Sequence, residues 1–448
     1  MNKVFVILIF SIFLSNCSLN ENSRIWNKKE KIENEKKVSK KILAEKEIIS
    51  TEFNPLLKLD LSKNKQNNKI FDPLNNFGSS KYNGQINKIN NYKFSKVENF
   101  NQFNFEPLIL DNGVIVFEKK GTIVKFNNNQ KVVWKNNFYS KTEKKIHPSL
   151  SFAITDKNLI VADSIAKISS INLLTGNLIW SKKSEYPFNS EIKISKDKFF
   201  VVDFKNTLRC FYIKDGSECW NIKTEESFTV SNSKFSMLIK DNLVIYNNSL
   251  GDITAVDISS GLIQWQLPTQ TSSIMNETYG FNFSKLVSDG SSIYFSNNKN
   301  QFYSVDLKSG TTNWMNEINS ILTPIIIGNF IFTVSENGYL FTIQKNEGNI
   351  VRINYVYKNF NLKKRKKIKP TGFTIGNNNL YLTNSDGNLI VVGGKNHGNG
   401  TFKCSFEFYD NVWIMKVSAA TGEMIWEKSY GGNSYERAYD IVRNPKGG

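Results

Sequence analysis

"VDISSGLIQW" (256–265) is a polar bend that ends in Gly261 and is followed, four residues later, by Trp265. The arrangement recurs as "INLLTGNLIW" (171–180), "FYIKDGSECW" (211–220), "VDLKSGTTNW" (305–314) and "VSAATGEMIW" (417–426). A tight hairpin needs a residue at positive φ, which glycine adopts without a Cβ clash. Gly176, Gly216, Gly261, Gly310 and Gly422 therefore each mark a turn between two strands. Trp180, Trp220, Trp265, Trp314 and Trp426 hold one fixed place on the strand that leaves the turn. The motif is a preference: Gln130 stands in the glycine position before Trp134, and Arg352 takes the tryptophan position after Gly348.

Working outward, each motif closes a longer unit. Its first half reads, for example, "KDKFFVVDFKNTLRCFY" (196–212) or "DGSSIYFSNNKNQFYSVD" (289–306): a turn, a short β-rich run, a second polar turn and another β-rich run. Seven copies are visible, and the tryptophans at 134, 180, 220, 265 and 314 are separated by 46, 40, 45 and 49 residues. That period belongs to four-stranded propeller blades, and helical periodicity is absent. The expected fold is all-β, a β-propeller of eight blades whose last blade is irregular or incomplete. A twisted sheet must bury both faces against its neighbours. A flat indole repeated in every blade can fill each wedge-shaped gap, so the tryptophans are expected to dock the blades.

The 448 residues carry 58 Lys and Arg against 40 acidic residues, a formal charge of +18. An abundance of Asn, Lys, Ile and Phe with few Pro and His fits a general compositional bias, so the charge alone does not imply nucleic acid. "MNKVFVILIFSIFLSNC" opens with Lys3, an apolar run from Val4 to Leu14, and Cys17. The run is too short to cross a bilayer core of about 30 Å and reads as an export signal. It is similar to a bacterial lipoprotein signal, which implies a lipid on Cys17 and, with Ser18 next, the outer membrane. Asn16 departs from the small residue usual before that cysteine, and a buried or disulfide-bonded Cys17 is the alternative. The expected division is a signal segment at 1–17, a polar tether and N-terminal segment at 18–100, propeller repeats at 101–392 and an atypical closing piece at 393–448.

Repeats of the form "VD..SG...W" resemble those of the PQQ-type propellers of quinoprotein dehydrogenases. Together with a lipoprotein-like start, they resemble the BamB family of outer-membrane assembly lipoproteins. That resemblance implies a non-catalytic scaffold on the periplasmic face of the outer membrane. Its partners would be the periplasmic domains of the barrel-inserting subunit and other assembly-machinery lipoproteins, with no nucleic acid. The rival reading is a PQQ-type enzyme or ligand-binding periplasmic lipoprotein, and a third is a surface adhesion or carbohydrate-binding propeller. A quinone enzyme of that class would be expected to show adjacent cysteines near its cofactor, and this chain has no Cys-Cys pair. His147 and His397 are isolated, with no metal-ligand spacing. No cofactor, metal or catalytic residue is expected.

Three local features remain. Cys210 and Cys219 flank the Gly216 turn and could face each other across a hairpin, as a disulfide or as two buried thiols. The run "LKKRKKIKP" (362–370), with Lys363, Lys364, Arg365, Lys366, Lys367 and Lys369, is either a solvated inter-blade loop or a contact for anionic headgroups or an acidic partner. Phe228, Tyr279 and Phe281, in long segments between repeats, are candidate partner contacts or caps of the propeller edge. After residue 392 the text changes flavour and stops at "PKGG", so the sequence is truncated or fused, or the closing blade is unusual.

Overall fold

The computed structural model describes residues 51–55, 57, 59, 78, 107–225, 234–269, 282–358, 360–376, 379–385, 389–393, 412–418 and 424–430, the last three stretches by their backbone alone. Six antiparallel sheets of four strands follow one another at 108–136, 150–183, 193–223, 237–267, 287–316 and 325–355. In each the strands pair in chain order, because short turns let every strand fold back on the one before. A seventh sheet consists of Pro370–Gly376, Asn379–Asn384 and Leu389–Gly393, extended by Val412–Ser418 and Met424–Tyr430.

The described residues form seven sheets, one fewer than the eight blades expected, the last of which was expected to be irregular or incomplete. The hairpin that contains Trp426 extends the seventh sheet instead of founding another. Its first strand, Val412–Ser418, joins Leu389–Gly393 in parallel. A parallel neighbour needs a long return connection, and 18 residues separate the two strands in the chain.

The sheets stand face to face. On the strand Lys198–Val202 of sheet 3, Phe199 and Val201 pack with Ile160, Ala162 and Ile168 of sheet 2, whereas Phe200 and Val202 pack with Met237 and Val244 of sheet 4. Sheet 4 repeats the pattern, with Val244 and Tyr246 turned to sheet 3 and Ile245 turned to sheet 5. Alternation of side chains along a strand gives each sheet one face per neighbour. With neighbours on both faces, the second and third strands have no solvent side, which is why "FFVV" is apolar throughout and wholly buried. The outermost strand of each sheet is different. Leu178–Lys183 is exposed except around Trp180. This succession of sheets sharing apolar cores is the β-propeller arrangement expected from the repeat.

Candidate interaction surfaces

The fixed Gly–Trp offset becomes a latch between successive sheets. Trp134 Nε1 donates to the Leu173 carbonyl, Trp180 to Ile213, Trp220 to Ile258, Trp265 to Leu307 and Trp314 to Lys345, over 2.9–3.3 Å. Every acceptor lies in the last turn of the following sheet. That turn places its glycine against the indole: a Cβ on Gly261 would stand 2.9 Å from the Trp220 ring, and φ there is +73°. Glycine is needed twice over, once for the left-handed backbone and once for the space under the indole. An Asx turn shapes the same loop, since Asp257 Oδ1 accepts from the Ser259 and Ser260 N–H groups. In the first copy Gln130 takes the left-handed conformation itself, at φ 64°.

A β-bulge aims each indole. In sheet 4 Trp265 pairs with Ala255 but Ile263 pairs with Val256, so Gln264 is the extra residue. Sheets 1 to 6 each shift register at this place. In sheet 3 the extra residue is Cys219. Cys210 therefore pairs with Trp220, and the two cysteines are neighbouring free thiols, not a bonded cross-strand pair. Burial pushes the Cys210 thiol up from its ordinary value.

The innermost segments form a second set of links, built on serines that the sequence reading did not single out. Ser151 Oγ donates to the Ser190 carbonyl at 2.8 Å, which ties sheet 2 to sheet 3. Ser190 bridges in parallel to Phe235 ahead of sheet 4. Ser236 Oγ accepts from the Leu286 N–H ahead of sheet 5 and contacts Glu191 Oε2 at 3.3 Å. Glu191 also pairs with Lys285 at 3.1 Å and Lys193 at 3.5 Å. Burial alone would push this carboxyl up; Lys193, Lys285 and Lys234 reverse that and hold it well below the usual carboxylate range. Ser284 and Ser320 repeat the position in sheets 5 and 6. Variable inter-sheet loops separate these serines from the preceding tryptophans, so an alignment on tryptophan scatters them.

The outer rim offers two further surfaces. At the first latch, Val132 and Val133 precede Trp134, while Leu174, Leu178 and Ile179 surround the turn it grips; all five are exposed. Between sheets 2 and 3 a groove of 360 Å³ is lined by Lys182, Glu185, Arg209 and Glu218 among others. Arg209 is engaged there by Asp203 at 2.9 Å and Glu218 at 3.1 Å.

The profile of the family described as outer membrane protein assembly factor BamB matches residues 119–354, from sheet 1 to the outer strand of sheet 6. The chain belongs to the BamB family. Among solved structures it is similar to BamB from Moraxella catarrhalis, at 16% identity and a TM-score of 0.53, over 77% of this chain and 92% of that one. At such identity the likeness speaks for the fold alone, and since 1532 solved chains match, the fold by itself selects no function. No curated protein matches the chain.

Within this BamB-family chain the remaining expected site residues fall as follows. Cys17, Gly422, Phe228, Tyr279, Phe281 and His397 lie outside the described residues, and of Trp426 only the strand is described. His147 caps the helix Lys141–Ile146 in the left-handed conformation, and its Nδ1 is buried without a hydrogen-bond partner. No group of three metal-ligating side chains occurs among the described residues, and none of their helices is long and apolar enough to cross a membrane. The basic run forms the short helix Leu362–Arg365 and the turn after it, between sheets 6 and 7, with Lys363, Lys366, Lys367 and Lys369 exposed.

Proposed function

We propose that this chain is a non-catalytic scaffold lipoprotein of the outer-membrane β-barrel assembly machinery. It would be held at the periplasmic face by a lipid on Cys17 and would bind the periplasmic domains of the barrel-inserting subunit alongside other assembly lipoproteins. The observation that carries this reading is the family match over 119–354, which spans all five indole latches in one continuous stretch. The geometry gives it physical support. The latches, for which Trp134, Trp180, Trp220, Trp265 and Trp314 are the proposed docking residues, join sheets 1 to 6 in sequence. A rigid framework presents its rims and loops at fixed separations, which suits a protein that holds partners in register.

Depletion tests this. Loss of the chain from its native cell should lower the amount of β-barrel proteins in the outer membrane while leaving other lipoproteins unchanged. Unchanged barrel levels across several substrates would overturn the reading.

A further inference from the structure

Sheet 6 departs from the others at its rim. Arg352 stands where an indole would, and Glu52, Phe53, Pro55 and Leu57 lie along the outer edge of Ile350–Tyr355. Phe53 and Ile353 exchange both backbone hydrogen bonds, at 3.1 and 2.8 Å. Arg352 Nη1 donates to the Leu57 carbonyl at 3.0 Å, Asn354 Nδ2 to Pro55 at 3.1 Å, and the Tyr355 N–H to Glu52 Oε1 at 2.9 Å. At this corner Glu52 lies 4.0 Å from Lys358. Lys358 stands four residues ahead of the basic run, and Arg365 Nη2 donates to its carbonyl. Two of that loop's cations face inward: Arg365 lies 5.7 Å from the Tyr355 ring centre and donates to the Phe360 carbonyl, and Lys364 lies 5.2 Å from the Phe360 ring centre. Lys369 pairs with Glu336. Lys363, Lys366 and Lys367 are left exposed, beside Leu362, which is 72% exposed.

We infer that this corner is the membrane-facing edge of the molecule: Lys363, Lys366 and Lys367 lie on anionic lipid headgroups and Leu362 enters the interface. The inference rests on the reading of an exported chain tethered at Cys17. A lipid anchor fixes distance from the membrane and leaves orientation free. Exposed lysines act only within about one Debye length of the surface, roughly 8–10 Å, so they orient the molecule best where the tether joins it. Glu52, 35 residues after Cys17 in the chain, lies at that corner beside Lys358. Lysines around one exposed leucine match a surface that is anionic outside and apolar beneath.

Hydrogen exchange on the full chain, with and without vesicles, tests the placement. On phosphatidylethanolamine–phosphatidylglycerol vesicles, amides of residues 361–369 should exchange severalfold more slowly, an effect that fades in 0.5 M salt. Phosphatidylcholine vesicles should give none of it. The variant K363Q/K366Q/K367Q should lose the slowing, and K141Q/K144Q/K145Q, which removes equal charge from the helix before sheet 2, should keep it. Equal slowing on neutral lipid, no slowing at 361–369, or equal loss in both variants would overturn the assignment. So would a K363Q/K366Q/K367Q chain that still shows the slowing but fails to retain an acidic envelope protein, since the loop would then serve that partner. A failure of the scaffold reading appears instead as unchanged barrel levels on depletion, which leaves the vesicle measurement unaffected.

Discussion

Trp220 and Gly261 show how little separates a working repeat from a broken one. The indole covers the glycine of the next sheet and donates 3.1 Å to the Ile258 carbonyl. Trp220→Ala should cost about 3 kcal/mol, at the lower end for tryptophan because the ring is half-buried. Trp220→Phe should cost about 1 kcal/mol from the lost N–H donation. Gly261→Ala should cost about 1–2 kcal/mol through its left-handed backbone, with the clash against the ring added to that. In the double variant Trp220→Ala/Gly261→Ala the clash disappears, so the two losses should sum to less than their separate values. Urea midpoints of the four chains check this, and strict additivity would mean that the ring is not seated on the glycine. The sequence alone revealed the turn and the recurrence of the indole. It did not reveal that the glycine's missing Cβ is what the indole rests on, because that contact joins residues about 40 positions apart.

At the scale of the element, the turns bind one sheet to the next by charge as well as by packing. Asp289, in the first turn of sheet 5, pairs at 2.9 Å with Lys345, in the last turn of sheet 6. Burial alone would raise its carboxyl; Lys345 and the N–H groups of Ser292 and Ser291 outweigh it and lower the value from 3.8 to about 2. A carboxyl depressed in the folded state adds stability above its unfolded value, which is lost as pH falls through the folded value. The stability gap between the native chain and Lys345→Met should therefore be full at pH 5 and close as pH falls from about 4 to about 2. A gap that stays constant over that range would show that the ion pair contributes nothing. Strand order was legible in sequence, since each unit alternates β-rich runs with Asn-, Asp- or Gly-bearing turns. The bulge was not legible: an inserted residue such as Gln264 or Cys219 leaves the Gly–Trp offset at four and changes only what pairs across the hairpin. For that reason Cys219 does not stand directly opposite Cys210, and of the two alternatives, disulfide or thiols, the structure shows neighbouring free thiols.

For the whole molecule, the repeat specified a propeller because its apolar runs have no polar face to turn to water. It did not specify how many sheets the described residues would form. Val412–Ser418 carries a repeat signature yet pairs in parallel with the seventh sheet, an arrangement that no local pattern encodes. Nor did it place Phe53 and Leu57 on sheet 6, where backbone pairing leaves few marks on side-chain choice beyond Arg352. Function was legible at the level of the family, since the matched stretch 119–354 is the run of latched sheets itself. If these sheets serve as a scaffold in outer-membrane assembly, affinity isolation of the full chain from detergent-solubilised envelope, followed by mass spectrometry, should recover the barrel-inserting subunit and its companion lipoproteins in defined ratio. Recovery of the chain free of them, or with a bound quinone in their place, would contradict that role.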